Sequence, residues 1–88
     1  MHIVKRAGHL EKFDERKVYA TCYKACINAS IHAQEAERIC ERVTKDIKTW
    51  IKVKKKVTSN QIFQQMIKTL KKQNKDAAFM YETHRDIA

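Results

Sequence analysis

Apolar positions along this chain follow two periods. Near the start, the stretch Ile3-Val4-Lys5-Arg6 opens with two β-branched apolar residues, as a strand would. Ala7-Gly8 then supply a turn, with glycine where a positive φ is needed, and Leu10 to Phe13 can return as a second strand. A two-stranded hairpin is marginal alone, so it must pack on something else. From Asp14, a good N-cap, the period changes to that of a helix. Val18, Cys22, Cys26 and Ala29 recur every three to four residues, and Tyr19, Tyr23 and Ile27 widen the stripe. This first helix should end near Asn28 to Ser30, with Asn in the left-handed conformation.

The second helical stretch has the clearest period. Ala36, Ile39, Cys40, Val43, Ile47, Trp50 and Ile51 share one face, while Glu35 with Arg38 and Glu41 with Lys45 can pair along the polar side. After Trp50 the pattern gives way to Lys52-Val53-Lys54-Lys55-Lys56-Val57, an extended basic segment with room for a short third strand. Thr58 and Gln61 form a capping box that opens a third helix through Ile62, Met66, Ile67 and Leu70. Asn74 or Asp76 caps a last helix containing Ala77, Ala78, Met80, Tyr81 and His84. The predicted class is α+β and mainly helical: a four-helix bundle capped by an N-terminal β-hairpin, with a short third strand as an option.

Composition narrows this further. At 88 residues the chain is one domain throughout, 1–88, and builds one modest core. One glycine and no proline leave little turn punctuation and no Gly-rich phosphate loop. No apolar run approaches the roughly 20 residues of a membrane span, and the N-terminus has no secretory pattern, so a cytoplasmic location is expected. The three cysteines, Cys22, Cys26 and Cys40, contain no C-x-x-C pair and no zinc spacing, and read as reduced, partly buried thiols.

Charge is unevenly spread. Of a net +9, residues 1–47 carry 9 basic and 7 acidic side chains, residues 48–75 carry 9 lysines and no acid, and residues 76–88 carry one basic and three acidic side chains. The central segment attracts polyanions such as nucleic acid, an acidic protein face or nucleotide phosphates, or it is simply a solvated basic face.

Catalytic chemistry is poorly supported, and the expectation is that this is not an enzyme. Cys22 and Cys26 lie in an apolar stripe, which favours core packing over a redox or metal role. His2, His9, His32 and His84 are scattered, with no nucleophile or second ligand to complete a triad or metal set. The hairpin carries more chemistry. Lys5 and Arg6 point to opposite faces of a strand, and Lys17 emerges one turn into a helix whose N-terminus is partly positive. These cations could surround a phosphate, while Glu11 and Asp14 between them could accept hydrogen bonds from hydroxyls or an exocyclic amine. Ile3 and Val18 could flank a flat ring. The same residues also read as surface charges on an ordinary hairpin.

At these residues the sequence resembles a known family. Ile3 to Gly8, Glu11 to Val18, Val57-Thr58-Ser59 before a helix with Ile62, and Tyr81-Glu82-Thr83-His84-Arg85 look like the ATP-cone domain across essentially the whole chain. In that family the domain lies at the N-terminus of ribonucleotide reductase large subunits, follows a zinc ribbon in a repressor of reductase genes, and precedes certain kinases. The resemblance implies binding of ATP or dATP, with Mg²⁺, and control of oligomeric state. It places Lys5 and Arg6 at the triphosphate and Lys17 at the ribose or phosphates. Glu11 and Asp14 would lie near the adenine edge, where the family more often has a neutral or amide side chain at the second position. Ile3 and Val18 would flank the base, Ser59 would lie on the ribose side, and Phe63 stands where one branch has a histidine near the sugar.

The reading is a regulatory adenine-nucleotide-binding domain, free-standing or excised, that forms homo-oligomers or docks on a larger enzyme or repressor. The alternative is a small basic nucleic-acid-binding module built on Lys48 to Lys75. The segment has no arginine for base readout and no exposed aromatic row for stacking, so weak, non-specific binding is the most it should give. No membrane partner is expected.

Overall fold

The computed structural model describes residues 2–4, 10–54 and 56–83, with side chains described from Phe13 onward. The chain is mainly helical. Its element order is β1 (His2–Val4), β2 (Leu10–Lys12), α1 (Glu15–Asn28), α2 (Ala33–Lys52), β3 (Val57–Thr58), α3 (Ser59–Gln73) and α4 (Lys75–Thr83). In backbone register, β1 runs antiparallel to β2 and parallel to β3, so β1 is central in the order β2-β1-β3. The turn expected at Ala7-Gly8, together with His84 and Arg85, lies outside the described residues.

Each helix boundary has a local cause. Asp14 is extended, and its carboxylate accepts from the Arg16 amide at 2.9 Å, capping α1. At the other end the left-handed residue is Ser30 (φ 63°), not Asn28 as expected. The Ser30 amide donates to the Ile27 carbonyl at 2.9 Å and the Ile31 amide to the Cys26 carbonyl at 3.0 Å. This is the Schellman pattern, which requires the left-handed residue two positions past the last helical one. Ile31 then packs back against the core.

The predicted face of α2 is buried at Ala36, Ile39, Cys40, Val43, Ile47 and Ile51. Trp50 lies at its half-buried rim, with the Lys54 ammonium 5.3 Å from the ring centroid. Burial of Ile51 carries the helix on through Lys52, so the extended segment is shorter than expected and β3 is confined to Val57–Thr58. On the polar side Glu35 pairs with Arg38 as predicted, and the next pair is Arg42 with Asp46 at 3.5 Å rather than Glu41 with Lys45.

The capping box of α3 is formed in both directions: the Gln61 amide donates to Thr58 Oγ1 at 3.1 Å, and the Thr58 amide donates to Gln61 Oε1 at 2.9 Å. Asn74, rather than Asp76, caps α4 by accepting from the Ala77 amide at 3.0 Å.

The four helices form a ring in which α1 packs on α2 and α4, and α3 packs on α2 and α4. Its interior holds Val18, Cys22 and Cys26 from α1, Ile39, Cys40, Val43 and Ile47 from α2, and Met66 and Leu70 from α3. Burial of each large aliphatic side chain contributes about 1.5–3 kcal/mol. Ala77 and Ala78 of α4 are also fully enclosed. Their small side chains let this nine-residue helix close the ring against both α1 and α3. Ile27, expected to widen the apolar stripe of α1, is instead 43% exposed, since the buried face of the helix is Val18, Cys22, Ala25 and Cys26.

Candidate functional site

The site is built from the backbone register outward. Ile3 on β1 lies opposite Glu11 on β2 and Val57 on β3, and Val4 lies opposite Leu10 and Thr58. Two residues after β2 the chain enters α1, and directly after β3 it enters α3. The central strand therefore lies between the strands that lead into the N-termini of two helices. Because β1 and β3 are parallel, the chain leaves β1 beside the residue that caps α3. Lys5 and Arg6 come next in sequence and lie outside the described residues.

These two helix starts differ electrostatically. At α1, Asp14 serves as the cap and Glu15 stands in the first turn. The Arg16 guanidinium donates to the Asp14 carboxylate, with Nε 3.2 Å from Oδ1, and together with the Arg16 amide holds its pKa below the ordinary aspartate value. Arg16 is raised in turn by the same hydrogen bond. Glu15 forms an ion pair with Lys48 of α2 at 3.0 Å. At α3 no acid occupies the first turn, whereas α1, α2 and α4 carry Glu15, Glu35 and Asp76 there. The positive end of the α3 dipole is thus left without a neighbouring carboxylate in its own first turn, and the first amides of a helix have no carbonyl one turn back to accept from them.

The remaining predicted residues fall into two groups. On α1, Lys17 is exposed, while Val18 is only 8% exposed and belongs to the core cluster. Val18 therefore offers a ring at most a narrow edge. On α3, Ser59 is exposed at the first helical position and Phe63 follows one turn later, half-buried. The Phe63 ring stacks on Tyr81 of α4, with centroids 5.4 Å apart and planes 27° from parallel. Sequence reasoning gave Tyr81 no role in the site. The two aromatics are 18 residues apart in sequence, and only the packing of α4 on α3 brings them together.

Four lysines of residues 48–75 stand in three different settings. Lys48 and Lys52 line a groove of about 420 Å³ between α1 and α2, and Lys48 is already paired with Glu15. Lys72 lines a second groove, of about 560 Å³, between α2 and α3, and Lys54 covers Trp50. Among the described residues, no helix is long and apolar enough to cross a membrane.

Fold and site together define a small helical domain with a mixed-strand edge at the starts of two helices. The family model of the ATP cone domain matches residues 1–87, and the chain belongs to that family of nucleotide-binding regulatory domains. No curated protein matches the chain with significant similarity.

Proposed function

We propose that the chain is a regulatory domain that binds ATP or dATP at the edge formed by β1, the start of α1 and the start of α3. It passes the bound state on by changing its own assembly or its docking on a partner protein. The observation that carries this reading is the parallel pairing of Val4 with Thr58, which brings the end of β1 beside a helix start free of first-turn acids, and Lys5 and Arg6 are the next residues in the sequence. Two cations and a helix N-terminus are complementary to a polyphosphate.

In this reading Lys5 and Arg6 bind the triphosphate and Lys17 contacts the ribose or phosphates. Ser59 lies on the sugar side and Phe63 beside the sugar. Glu11 accepts hydrogen bonds from the adenine edge, and Ile3 contacts one face of the base, with the narrow exposed edge of Val18 on the other. Asp14 is already engaged by Arg16 and by its own helix, so its contribution is to fix the start of α1 on which Lys17 stands. That engagement also removes one of the two acids that could bind a cation. Mg²⁺ would therefore be held by the phosphates and water more than by protein.

Charge reversal tests the assignment. In calorimetric titration with ATP, Lys5→Glu and Arg6→Glu should each weaken binding by tenfold to hundredfold or more, since loss of a charge-assisted contact costs about 1.5–3 kcal/mol. A folded Lys5→Glu protein that binds as well as the parent would show that the phosphates lie elsewhere.

A further inference from the structure

We propose that Cys22, Cys26 and Cys40 form a three-sulfur binding site for a soft monovalent cation, Cu(I), in the seam between α1 and α2. These are all the cysteines of the chain, and they converge on one point from two helices. Their three sulfur atoms lie within 4.8 Å of one another, each residue is 0% exposed, and none is in a disulfide. Cys22 and Cys26 are one turn apart on the buried face of α1, and Cys40 meets them from the buried face of α2.

The donor set selects the ion. Thiolate sulfur is a poor ligand for Mg²⁺ or Ca²⁺, which take oxygen, and a good one for Cu(I) and Zn²⁺. Zn²⁺ requires a fourth ligand, and among the described residues no histidine or carboxylate joins the three sulfurs. Full enclosure leaves no solvent-facing position for a water as the fourth. A trigonal arrangement is what the chain offers. At metal–sulfur distances of about 2.3 Å, three trigonal sulfurs stand about 4.0 Å apart, so the cluster needs to contract by less than about 1 Å. Entry of the ion displaces thiol protons. Loss of two protons on uptake of one Cu⁺ leaves the site with a single negative charge and one neutral thiol ligand, in a chain whose formal net charge is +9. No electron is transferred. Because the sulfurs are enclosed, uptake requires a transient local parting of α1 from α2.

The test is an anaerobic titration of the 88-residue chain with Cu(I) against a chromogenic Cu(I) chelator, with X-ray absorption at the copper edge on the loaded protein. The expected result is one copper per chain, a first shell of sulfur alone, and slower thermal unfolding than in the metal-free protein. Cys22→Ala and Cys40→Ala should each lower Cu(I) affinity at least about a hundredfold, the upper end of what loss of even an outer-shell partner costs. Circular dichroism establishes whether each variant is folded. The absorption spectrum of the unsubstituted protein decides the question even if a variant is not. A nitrogen or oxygen first shell, failure to compete with the chelator, or equal copper affinity in a folded Cys22→Ala/Cys26→Ala/Cys40→Ala protein would overturn the proposal and leave the three thiols as core packing alone.

Discussion

Phe63 and Tyr81 stack with ring centroids 5.4 Å apart, joining α3 to α4 one turn beyond the capped start of α3. Offset aromatic pairs of this kind contribute about 0.5–1.5 kcal/mol beyond the area they bury. A double-mutant cycle of Phe63→Leu and Tyr81→Leu, read by urea unfolding, should give a coupling energy in that range. Phe63→Leu should also weaken ATP binding more than Tyr81→Leu if Phe63 alone faces the sugar. A coupling energy indistinguishable from zero would mean that the two rings act independently.

Ser30 holds a left-handed conformation that costs a non-glycine residue about 1–2 kcal/mol, and it does so to complete the Schellman hydrogen bonds at the end of α1. Ser30→Gly should therefore raise stability by about 0.5–1 kcal/mol, the gain being reduced by the larger conformational freedom of glycine in the unfolded chain. The shift in urea midpoint at constant slope measures it. Asn28→Gly should instead destabilise, because Asn28 is the last residue of the helix itself.

Asp14 ties stability to pH. Its folded pKa is lowered, chiefly by the Arg16 guanidinium, so its contribution is present above the ordinary aspartate value of 3.8 and disappears as pH falls through the lower folded value. Asn caps a helix as well as Asp but has no charge to lose. Asp14→Asn should therefore be slightly less stable than the parent at neutral pH and converge with it in acid. The effect should be small and should shrink with added salt, since Arg16 is 89% exposed. Denaturation midpoints measured across the acid range at two salt concentrations check both points.

Much of the helical fold was legible because apolar periodicity and capping chemistry agree with one another. The stripe Ala36-Ile39-Cys40-Val43-Ile47-Ile51 and the Thr58-Gln61 box each specify one outcome locally, and each is formed. The exit from α1 was less legible. Asn28, Ala29 and Ser30 are all plausible termini by composition, and the choice is made by which amides reach the Cys26 and Ile27 carbonyls. The bounds of β3 were not legible, because strand preference in a lysine-rich run is weak; the strand is formed only at the end of the expected Lys52–Val57 segment, at Val57–Thr58, and α2 runs through Lys52. At the site, the cations and acids were visible as residue types. Pairs across elements, such as Val4 with Thr58 or Phe63 with Tyr81, depend on packing that no local pattern encodes.

If nucleotide state is passed on through assembly, the mass of the particle should change when the site fills. Multi-angle light scattering at saturating ATP and at saturating dATP should give masses that differ from the nucleotide-free protein or from each other. A single mass in all three conditions would restrict regulation to docking on a partner chain.

Adenine-nucleotide recognition is the central claim, and its most direct test is calorimetric titration of the unsubstituted chain with ATP, dATP and GTP under the same Mg²⁺ and salt conditions. Saturable binding of ATP, dATP or both is predicted, at least about tenfold tighter than GTP, a difference of about 1.4 kcal/mol. Equal affinity for GTP and ATP, or no saturable binding of either adenine nucleotide, would contradict it.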